Sequence, residues 1–140
     1  MTSSKYRTLS AYIMALKKKY RLSKKNDIEL VLKNGKRRTA QSFRLFFYPN
    51  KLNFSRFCVI ISKKVAKKAT TRNRIRRRII GWIQENGCTN ITGYDFIILC
   101  QVAVPVLPKK ILYEDLKRTF NFFYPAISNN AFSRSQQNKI

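Results

Sequence analysis

The sequence predicts an α+β fold, a compact α/β sandwich in which a small mixed sheet packs on helices. Two short runs, residues 57–61 and 94–100, have the apolar character of buried strands. A helical segment with one apolar face, residues 71–83, lies between them. A helix that joins two covered strands is typical of a parallel βαβ unit. Helical stripes before and after this unit supply the second layer.

The first helix is predicted to begin at a cap provided by Ser23 or Asn26 and to continue to about Lys33. Asn34 and Gly35 follow it and are typical of a helix end. Residues spaced for one helix face form its apolar stripe: Ile28, Val31 and Leu32.

Residues 37–48 are predicted to form one strand, because apolar side chains alternate there with a period of two. One face carries Thr39, Phe43, Leu45 and Phe47. The other face carries Arg44, Phe46 and Tyr48, so aromatic and basic side chains share a surface. A turn at Pro49 and Asn50 leads to residues 54–62, predicted to be a central strand.

The next helix is the most informative part of the chain. It is predicted to begin at Thr70 or Thr71 and to end near Asn86 and Gly87. Its apolar face is formed by Ile75, Ile79, Trp82 and Ile83. Its other face carries Asn73, Arg74, Arg77 and Arg78, with Arg72 and Arg76 at the flanks. Guanidinium groups bind phosphate bidentately and stack on bases, so this face suits a polyanion.

The last two elements are a buried strand, residues 94–100, and a final helix. Pro108 suits the first turn of that helix, which is predicted to continue to about Tyr124 and to stop at Pro125. Its apolar stripe consists of Ile111, Leu112, Leu116, Phe120 and Phe123.

The charge of the chain indicates the kind of partner. The 140 residues include 30 Lys and Arg against 6 Asp and Glu, for a formal net charge of +24. Such self-repulsion burdens an isolated protein, whereas a phosphate backbone relieves it and releases counterions on binding. A merely solvated basic surface is the alternative.

The length favours one domain, and the composition divides the chain into three parts. Residues 1–20 form a basic N-terminal extension, in which Ser10 could cap a short helix through Lys19 or the chain could be loosely ordered. Residues 21–124 form the folded domain. Residues 125–140 are rich in Ser, Asn, Gln and Lys and are predicted to be a disordered tail.

The residue inventory argues against several kinds of chemistry. There is no histidine, and among the six acids only Glu114 and Asp115 are adjacent. Neighbours on a helix do not face one site, so no catalytic residue and no metal site is predicted.

Three widely spaced cysteines suggest no disulfide framework, and Cys58 and Cys100 are interpreted as small core residues in a reducing compartment. With no apolar run of membrane-spanning length and no cleavage signal, we expect a cytoplasmic protein without a membrane partner.

Several motifs together resemble a known family. The sequence SKK at residues 62–64, a basic spacer, and RNRIRR at residues 72–77 closely resemble the signature of the bacterial ribonuclease P protein subunit. Residues 22–35, 94–98 and 113–116 are similar to its first helix, last buried strand and final helix, in the same order. The resemblance covers roughly residues 21–124.

The resemblance also implies a fold, a function and a set of partners. It implies a ribonuclease P protein-like fold whose crossover through the Arg-rich helix is unusually left-handed. The chain would be the non-catalytic protein component of the endoribonuclease ribonuclease P. Its partners would be the RNA subunit and precursor tRNA, with no protein partner. The RNA, with bound Mg2+, would remove the 5′ leader, and the protein itself would bind no cofactor.

Two sets of binding residues also follow from the resemblance. The RNA subunit would be bound by Lys63, Lys64, Lys67, Lys68, Arg72, Asn73, Arg74, Arg76 and Arg77. A groove between the first helix and the sheet would bind the single-stranded leader through Phe43, Arg44, Phe46, Phe47, Ile28 and Leu32. Asn73 could instead have a local hydrogen-bonding role.

The sequence departs from the family pattern at a few places. Ile28 and Leu32 stand where the family often has Phe, and aliphatic side chains stack more weakly on bases. Gln101 stands where the family often has a basic residue, which removes one possible phosphate contact. A structural RNA-binding protein, such as a ribosomal component, would fit the same charge and a related fold, and is the alternative function.

Overall fold

The computed structural model describes residues 16–123. The helices and strands, in chain order, are α1 (Lys25–Asn34), β1 (Lys36–Thr39), β2 (Phe43–Pro49), β3 (Arg56–Ile60), α2 (Ala69–Glu85), β4 (Tyr94–Cys100) and α3 (Lys109–Phe120). Short 3-10 helices lie at Lys18–Tyr20, Cys88–Asn90, Val104–Val106 and Asn121–Phe123.

The four strands form one mixed sheet in the order β1-β2-β4-β3. β2 is antiparallel to β1 and to β4, whereas β3 and β4 run parallel and are joined through α2. The predicted parallel βαβ unit is therefore confirmed; the hand of its crossover stays a prediction. The strand expected to be central, β3, lies at the edge, and β4 is the buried inner strand. β3 is apolar because its side chains meet the cores on both faces of the sheet. Its outer edge is partly paired by the N-terminal segment, where the Leu22 N–H donates to the Phe57 carbonyl at 2.9 Å.

The single strand expected over residues 37–48 is wrong, because the chain turns at residues 40–42 to form the hairpin of β1 and β2. The turn contains no glycine or proline, so the sequence did not signal it. Distant side chains fix it instead. Asp115 of α3 accepts hydrogen bonds from the Ser42 N–H (2.9 Å) and the Ser42 hydroxyl. The Gln101 N–H donates to the Ser42 carbonyl, and the Gln101 side chain donates to Ala40.

The main core lies between one face of the sheet and the helices α2 and α3. The sheet contributes buried aromatic rings, among them Phe57 and Phe96, which stack with centroids 5.2 Å apart. The helices contribute the predicted stripes, and the Trp82 and Phe120 rings lie 5.9 Å apart. Trp82 is a core residue, as expected.

A smaller core lies on the opposite face of the sheet, beneath α1. Its buried members are Leu22, Val31 and Ile97, and half-buried neighbours include Phe46, Tyr48 and Ile60. Leu32 does not join this core and is 37% exposed, contrary to the predicted stripe of α1. Because α1 has only ten residues and buries little beyond Val31, part of this sheet face stays uncovered.

The helix ends differ from the expected caps. α1 and α2 begin after Lys24 and Lys68, and neither residue makes a side-chain cap hydrogen bond. The predicted end of α2 is confirmed, since Asn86 is the C-cap and Gly87 adopts the left-handed conformation with φ of 67°. α3 begins after Pro108 as expected.

The N-terminal segment joins the fold before Arg21, the start suggested by composition. Leu16 is buried in the main core, and the Tyr20 ring meets Phe54 edge-on at 5.6 Å. Most of the possible helix from Ser10 to Lys19, together with Pro125 and the tail 125–140, lies outside the described residues.

Candidate nucleic-acid interface

The outward face of α2 is a cationic surface held by a buried inner face. Ile75 and Ile79 are buried against the sheet, which fixes the orientation of the helix. Asn73, Arg74 and Arg77 are exposed on the other side. Within residues 16–123, ion pairs involve only the arginines at positions 56 and 118, so no carboxylate neutralises the arginines of α2. These guanidinium groups are therefore available to an external anion.

Arg72 has a structural contact that its neighbours lack. Its Nη1 donates to the carbonyls of Ala66 and Lys67, both at 2.8 Å. These bonds tie the connection between β3 and α2 to the first turn of the helix. A turn closed by the Ser62 carbonyl, which accepts from the N–H groups of Val65 and Ala66, shapes the start of the same connection.

The connection presents four exposed lysines beside the arginines of α2: Lys63, Lys64, Lys67 and Lys68. All belong to the predicted RNA-subunit site, and the fold brings them together with the exposed face of α2. We call this combined surface, the connection 63–68 and the outward side of α2, the arginine face. It is a preorganised array of cations.

Asn73 has the local contact that the sequence suggested. Its Oδ1 accepts a hydrogen bond from Arg76 Nη1 at 3.2 Å, one turn further along the helix. Arg76 is half-buried and lies at the flank of α2, as predicted. This bond orients the Arg76 guanidinium group along the helix surface.

The second predicted site lies on the sheet face that α1 covers only in part. Arg44 is exposed there, and Phe46 is half-buried. The antiparallel register places Arg37 of β1 opposite Phe46, on the same face, and Arg37 is exposed. Ile28 is half-buried at the edge of α1, and Leu32 is exposed near the end of that helix. We call this surface the sheet groove.

The prediction is wrong for two of the aromatic residues expected to bind the leader. Phe43 is fully buried and Phe47 is 7% exposed, both in the main core on the opposite face of the sheet. The Phe47 ring packs edge-on against Phe123 at 5.1 Å. Side chains alternate along a strand, so Phe43 and Phe47, which are three positions and one position from Phe46, lie on the face opposite to it.

Two residues of the groove were absent from the predicted set. Tyr48 is half-buried on the same face as Phe46, and the period of two along β2 could have indicated it. Arg37 could not be assigned from sequence, because its position opposite Phe46 depends on the hairpin register.

An ion-pair cluster fixes α1 over the sheet. Arg56 of β3 donates from Nε and Nη2 to the two carboxylate oxygens of Asp95, at 2.9 and 2.7 Å. The same guanidinium lies 3.5 Å from Asp27 in the first turn of α1, and Asn50 donates to Asp95 at 2.8 Å. The hydrogen bond to Asp95 raises the pKa of Arg56, although burial acts in the opposite direction. Arg56 is thus engaged within the protein.

Gln101 has a structural role at the position where a basic residue was expected. Its Nε2 donates to the Ala40 carbonyl at 2.7 Å, which helps close the hairpin turn. The side chain is therefore committed to the fold rather than directed at an anion.

The cysteines and acids of the described chain do not form a further chemical site. Within residues 16–123 no group of three or more His, Cys, Asp or Glu residues could hold a metal ion. The three thiols are free, and burial raises the pKa of Cys88 and of Cys100 to about 12. In the part of the chain described, no helix is both long and apolar enough to cross a membrane.

An Arg-rich helix with its inner side buried, a lysine-bearing connection and a partly open sheet with aromatic and basic side chains define a class: an α/β RNA-binding protein. The family model described as Ribonuclease P matches residues 16–123. The chain belongs to this family, in agreement with the resemblance of its motifs.

Individual relatives agree with the family match. The chain is 40% identical over 98 residues to a ribonuclease P protein component of Legionella pneumophila strain Lens, covering 70% of this chain and 81% of the relative. It is 30% identical over 95 residues to that of Chromobacterium violaceum, covering 68% and 76%. These relatives favour ribonuclease P over the ribosomal alternative.

Solved structures show the same fold. A Staphylococcus aureus RNase P protein mutant superposes with a TM-score of 0.69 at 21% identity, covering 86% of this chain and 97% of that chain. The RNase P protein from Thermotoga maritima superposes with a TM-score of 0.63 at 23% identity, covering 74% and 94%. The mixed sheet packed on helices is therefore the fold of these proteins.

Proposed function

We propose that this chain acts as the non-catalytic protein subunit of ribonuclease P. It binds the RNA subunit through the arginine face and the single-stranded 5′ leader of precursor tRNA through the sheet groove. The observation that supports this most directly is the arginine face itself, whose cations have no carboxylate partner within residues 16–123 and are held in place by the fold. Because a buried helix fixes the backbone that carries these side chains, binding to phosphates orders less of the chain than binding through a disordered basic tail would.

The sheet groove supports the leader-binding part of the proposal. Grooves for single strands combine aromatic rings, on which bases stack, with basic side chains that follow the backbone. Here Phe46 and Tyr48 supply rings, and Arg37 and Arg44 supply charge on the same face. The aliphatic Ile28 and Leu32 of α1 offer apolar contact along the other wall.

The division of labour between protein and RNA follows from the acids of the chain. A protein that hydrolyses phosphodiesters with metal ions needs clustered carboxylates to hold them. Asp27, Asp95 and Asp115 are engaged by arginines inside the described fold. In the proposed holoenzyme the RNA subunit would hold Mg2+, which would supply the Lewis-acid chemistry of hydrolysis, while the protein binds and orients the two RNAs.

Reconstitution tests the proposal. The full chain, a bacterial ribonuclease P RNA and a precursor tRNA are mixed at low Mg2+, and release of the 5′ leader is followed. We expect the chain to accelerate leader release well above the rate of the RNA alone, and the chain without RNA to release none. An unchanged rate on addition of the chain would refute the proposal.

A pair of substrates tests the sheet groove separately. Arg44→Gln removes an exposed charge from the groove without touching either core. We expect the variant to weaken binding of a precursor with a long leader and to leave binding of one with a single-nucleotide leader unchanged. Lys51→Gln, an exposed loop variant, serves as the matched control. Equal effects on both substrates would place the leader elsewhere.

A further inference from the structure

A second cationic groove lies between α2 and α3, next to the arginine face. It consists of two adjoining hollows of about 520 and about 340 Å³ that share Trp82 and Tyr113. The larger hollow is lined also by Asn86, Lys109, Lys110, Glu114 and Lys117. The smaller hollow is lined also by Arg74, Arg77, Arg78, Gly81 and Glu85. Arg74 and Arg77 thus belong to the arginine face and to this groove, so the two surfaces are continuous.

Tyr113 occupies the centre of the groove. It is half-buried, rests against the main core and lines both hollows. Lys109 places its Nζ 5.6 Å from the centre of the Tyr113 ring. A tyrosine ring held by the core and flanked by cations is suited to stack on a nucleic-acid base, as in other single-strand sites.

The charges of the groove indicate an RNA occupant. Lys110 and Lys117 of α3 are exposed and line the larger hollow, whereas arginines of α2 line the smaller one. None of these cations forms an ion pair within residues 16–123. Two exposed carboxylates, Glu85 and Glu114, also line the hollows. Carboxylates repel phosphates but accept hydrogen bonds from the N–H groups of bases. The same carboxylates would repel an acidic peptide, which has no such donors along its side chains.

We infer that an unpaired base of the ribonuclease P RNA subunit docks on Tyr113 in the groove between α2 and α3, with its phosphates held by the lysines of α3 and the arginines of α2. This inference rests on the proposed function, because it extends the RNA-subunit interface from one helix to two. The RNA subunit, rather than precursor tRNA, is the occupant because Arg74 and Arg77 are shared with the arginine face.

Substitution of the ring tests the inference. Affinity for the ribonuclease P RNA is measured without precursor tRNA for Tyr113→Leu, which keeps apolar packing against the core, and for Tyr113→Phe, which keeps the ring. We expect Tyr113→Leu to weaken binding between about 5-fold and about 150-fold, the range of base–aromatic stacking, and Tyr113→Phe to stay within about twofold. Emission of Trp82, the one tryptophan of the chain, monitors folding of both variants.

The lysines provide a second measurement that does not depend on the core. The double variant Lys110→Gln with Lys117→Gln should lower the slope of log affinity against log salt by about 0.7 to 0.9 per lost phosphate contact, and Lys51→Gln should not change it.

The outcomes separate this inference from the proposed function. If Arg77→Ala weakens binding while Tyr113→Leu and the double lysine variant bind like the unaltered chain, the groove proposal is overturned and the proposed function stands. A loss seen only when precursor tRNA is present would also overturn it, since the occupant would then not be the RNA subunit. If the unaltered chain binds this RNA no better than an unrelated RNA of equal length, the proposed function itself fails.

Discussion

At the scale of single residues, the arginines of α2 make different contacts. Arg72 donates to two loop carbonyls, Arg76 to Asn73, and Arg77 is exposed without a partner in the ion pairs of the described chain. The sequence shows a run of equivalent side chains. The difference comes from where each points on α2 relative to the connection 63–68.

Arg77→Ala should therefore remove a phosphate contact without changing the fold. We expect weaker binding of the ribonuclease P RNA and a log–log salt slope reduced by about 0.9, because one fewer counterion is released. Binding is measured by titration at several salt concentrations, with Lys51→Gln as the control. A slope identical to that of the unaltered chain would show that Arg77 does not touch phosphate.

The buried thiols give a prediction about pH. Burial raises the pKa of Cys88 and Cys100 to about 12 in the folded chain, whereas unfolded thiols titrate near ~8.5. The folded state then holds these protons more tightly, so stability is undiminished below about pH 8.5 and falls as pH rises toward 12. At pH 8, iodoacetamide should modify both thiols at least about a hundredfold more slowly than in denaturant. Equal rates in the two conditions would contradict their burial.

At the scale of elements, the contrast between helices and strands shows what sequence can predict. All four predicted members of the inner face of α2 are buried, together with Gly81, because a helix of 17 residues gives several turns of a clear period. The hairpin of β1 and β2 was missed because its turn depends on Asp115 and Gln101, far along the chain. The pattern of residues near the turn cannot indicate hydrogen-bond partners that lie so far along the chain. Phe43 and Phe47 are wrong members of the leader site for a different reason. The period of two already separates them from Phe46, and only the fold shows which of the two faces the main core covers.

Asp115→Ala should destabilise the hairpin turn. It removes the acceptor for the Ser42 N–H and hydroxyl, and both donors are buried. An unsatisfied buried donor costs about 1–3 kcal/mol, so we expect a loss of at least that size in the free energy of unfolding. Urea denaturation measures it. Glu114→Gln, at the exposed neighbouring position, should change the free energy by less than about 0.5 kcal/mol; a similar loss in both variants would refute the role of the turn.

Gly35→Ala tests the junction of α1 and β1. A Cβ there would lie 2.4 Å from the Val31 carbonyl oxygen and 2.8 Å from that of Phe47. Both obstacles are backbone, one in the last turn of α1 and one in β2, so the junction must rearrange, and we expect a loss of about 1–3 kcal/mol in the free energy of unfolding. The backbone at Gly35 has φ of −73°, an ordinary value, so the effect is one of space. An alanine variant as stable as the unaltered chain in urea denaturation would show that the junction is not tightly packed.

At the scale of the whole molecule, a net charge of +24 must affect stability as well as binding. Like charges repel most strongly in the compact state, and salt screens them over about 10 Å at ~0.1 M. We expect the melting temperature to rise between about 20 and about 300 mM NaCl, and to rise further when the ribonuclease P RNA binds the folded state. A neutral solute at equal osmolality is the control. A melting temperature that falls with salt would show that attractive pairs outweigh the repulsion.

The global architecture was more predictable than the sites. The parallel pairing of β3 with β4 and the packing of helices on the sheet followed from apolar runs and the helix between them. The edge position of β3 could not be predicted from these patterns, because the segment around Leu22 that covers β3 has no strand pattern of its own. The groove around Tyr113 likewise could not be predicted from the sequence, since it is formed only where α2 meets α3.

The inner position of β4 has a consequence for protein synthesis. β2 and β3 both pair with Tyr94–Cys100, which leaves the ribosome after α2 has been made. Until then the Arg-rich helix emerges without the sheet that buries its inner face, close to ribosomal RNA of opposite charge. We therefore expect completion of the sheet to compete with attraction between this cationic segment and ribosomal RNA. A released fragment that ends before Tyr94 should sediment with ribosomes at low salt and dissociate at high salt, more so than the full chain.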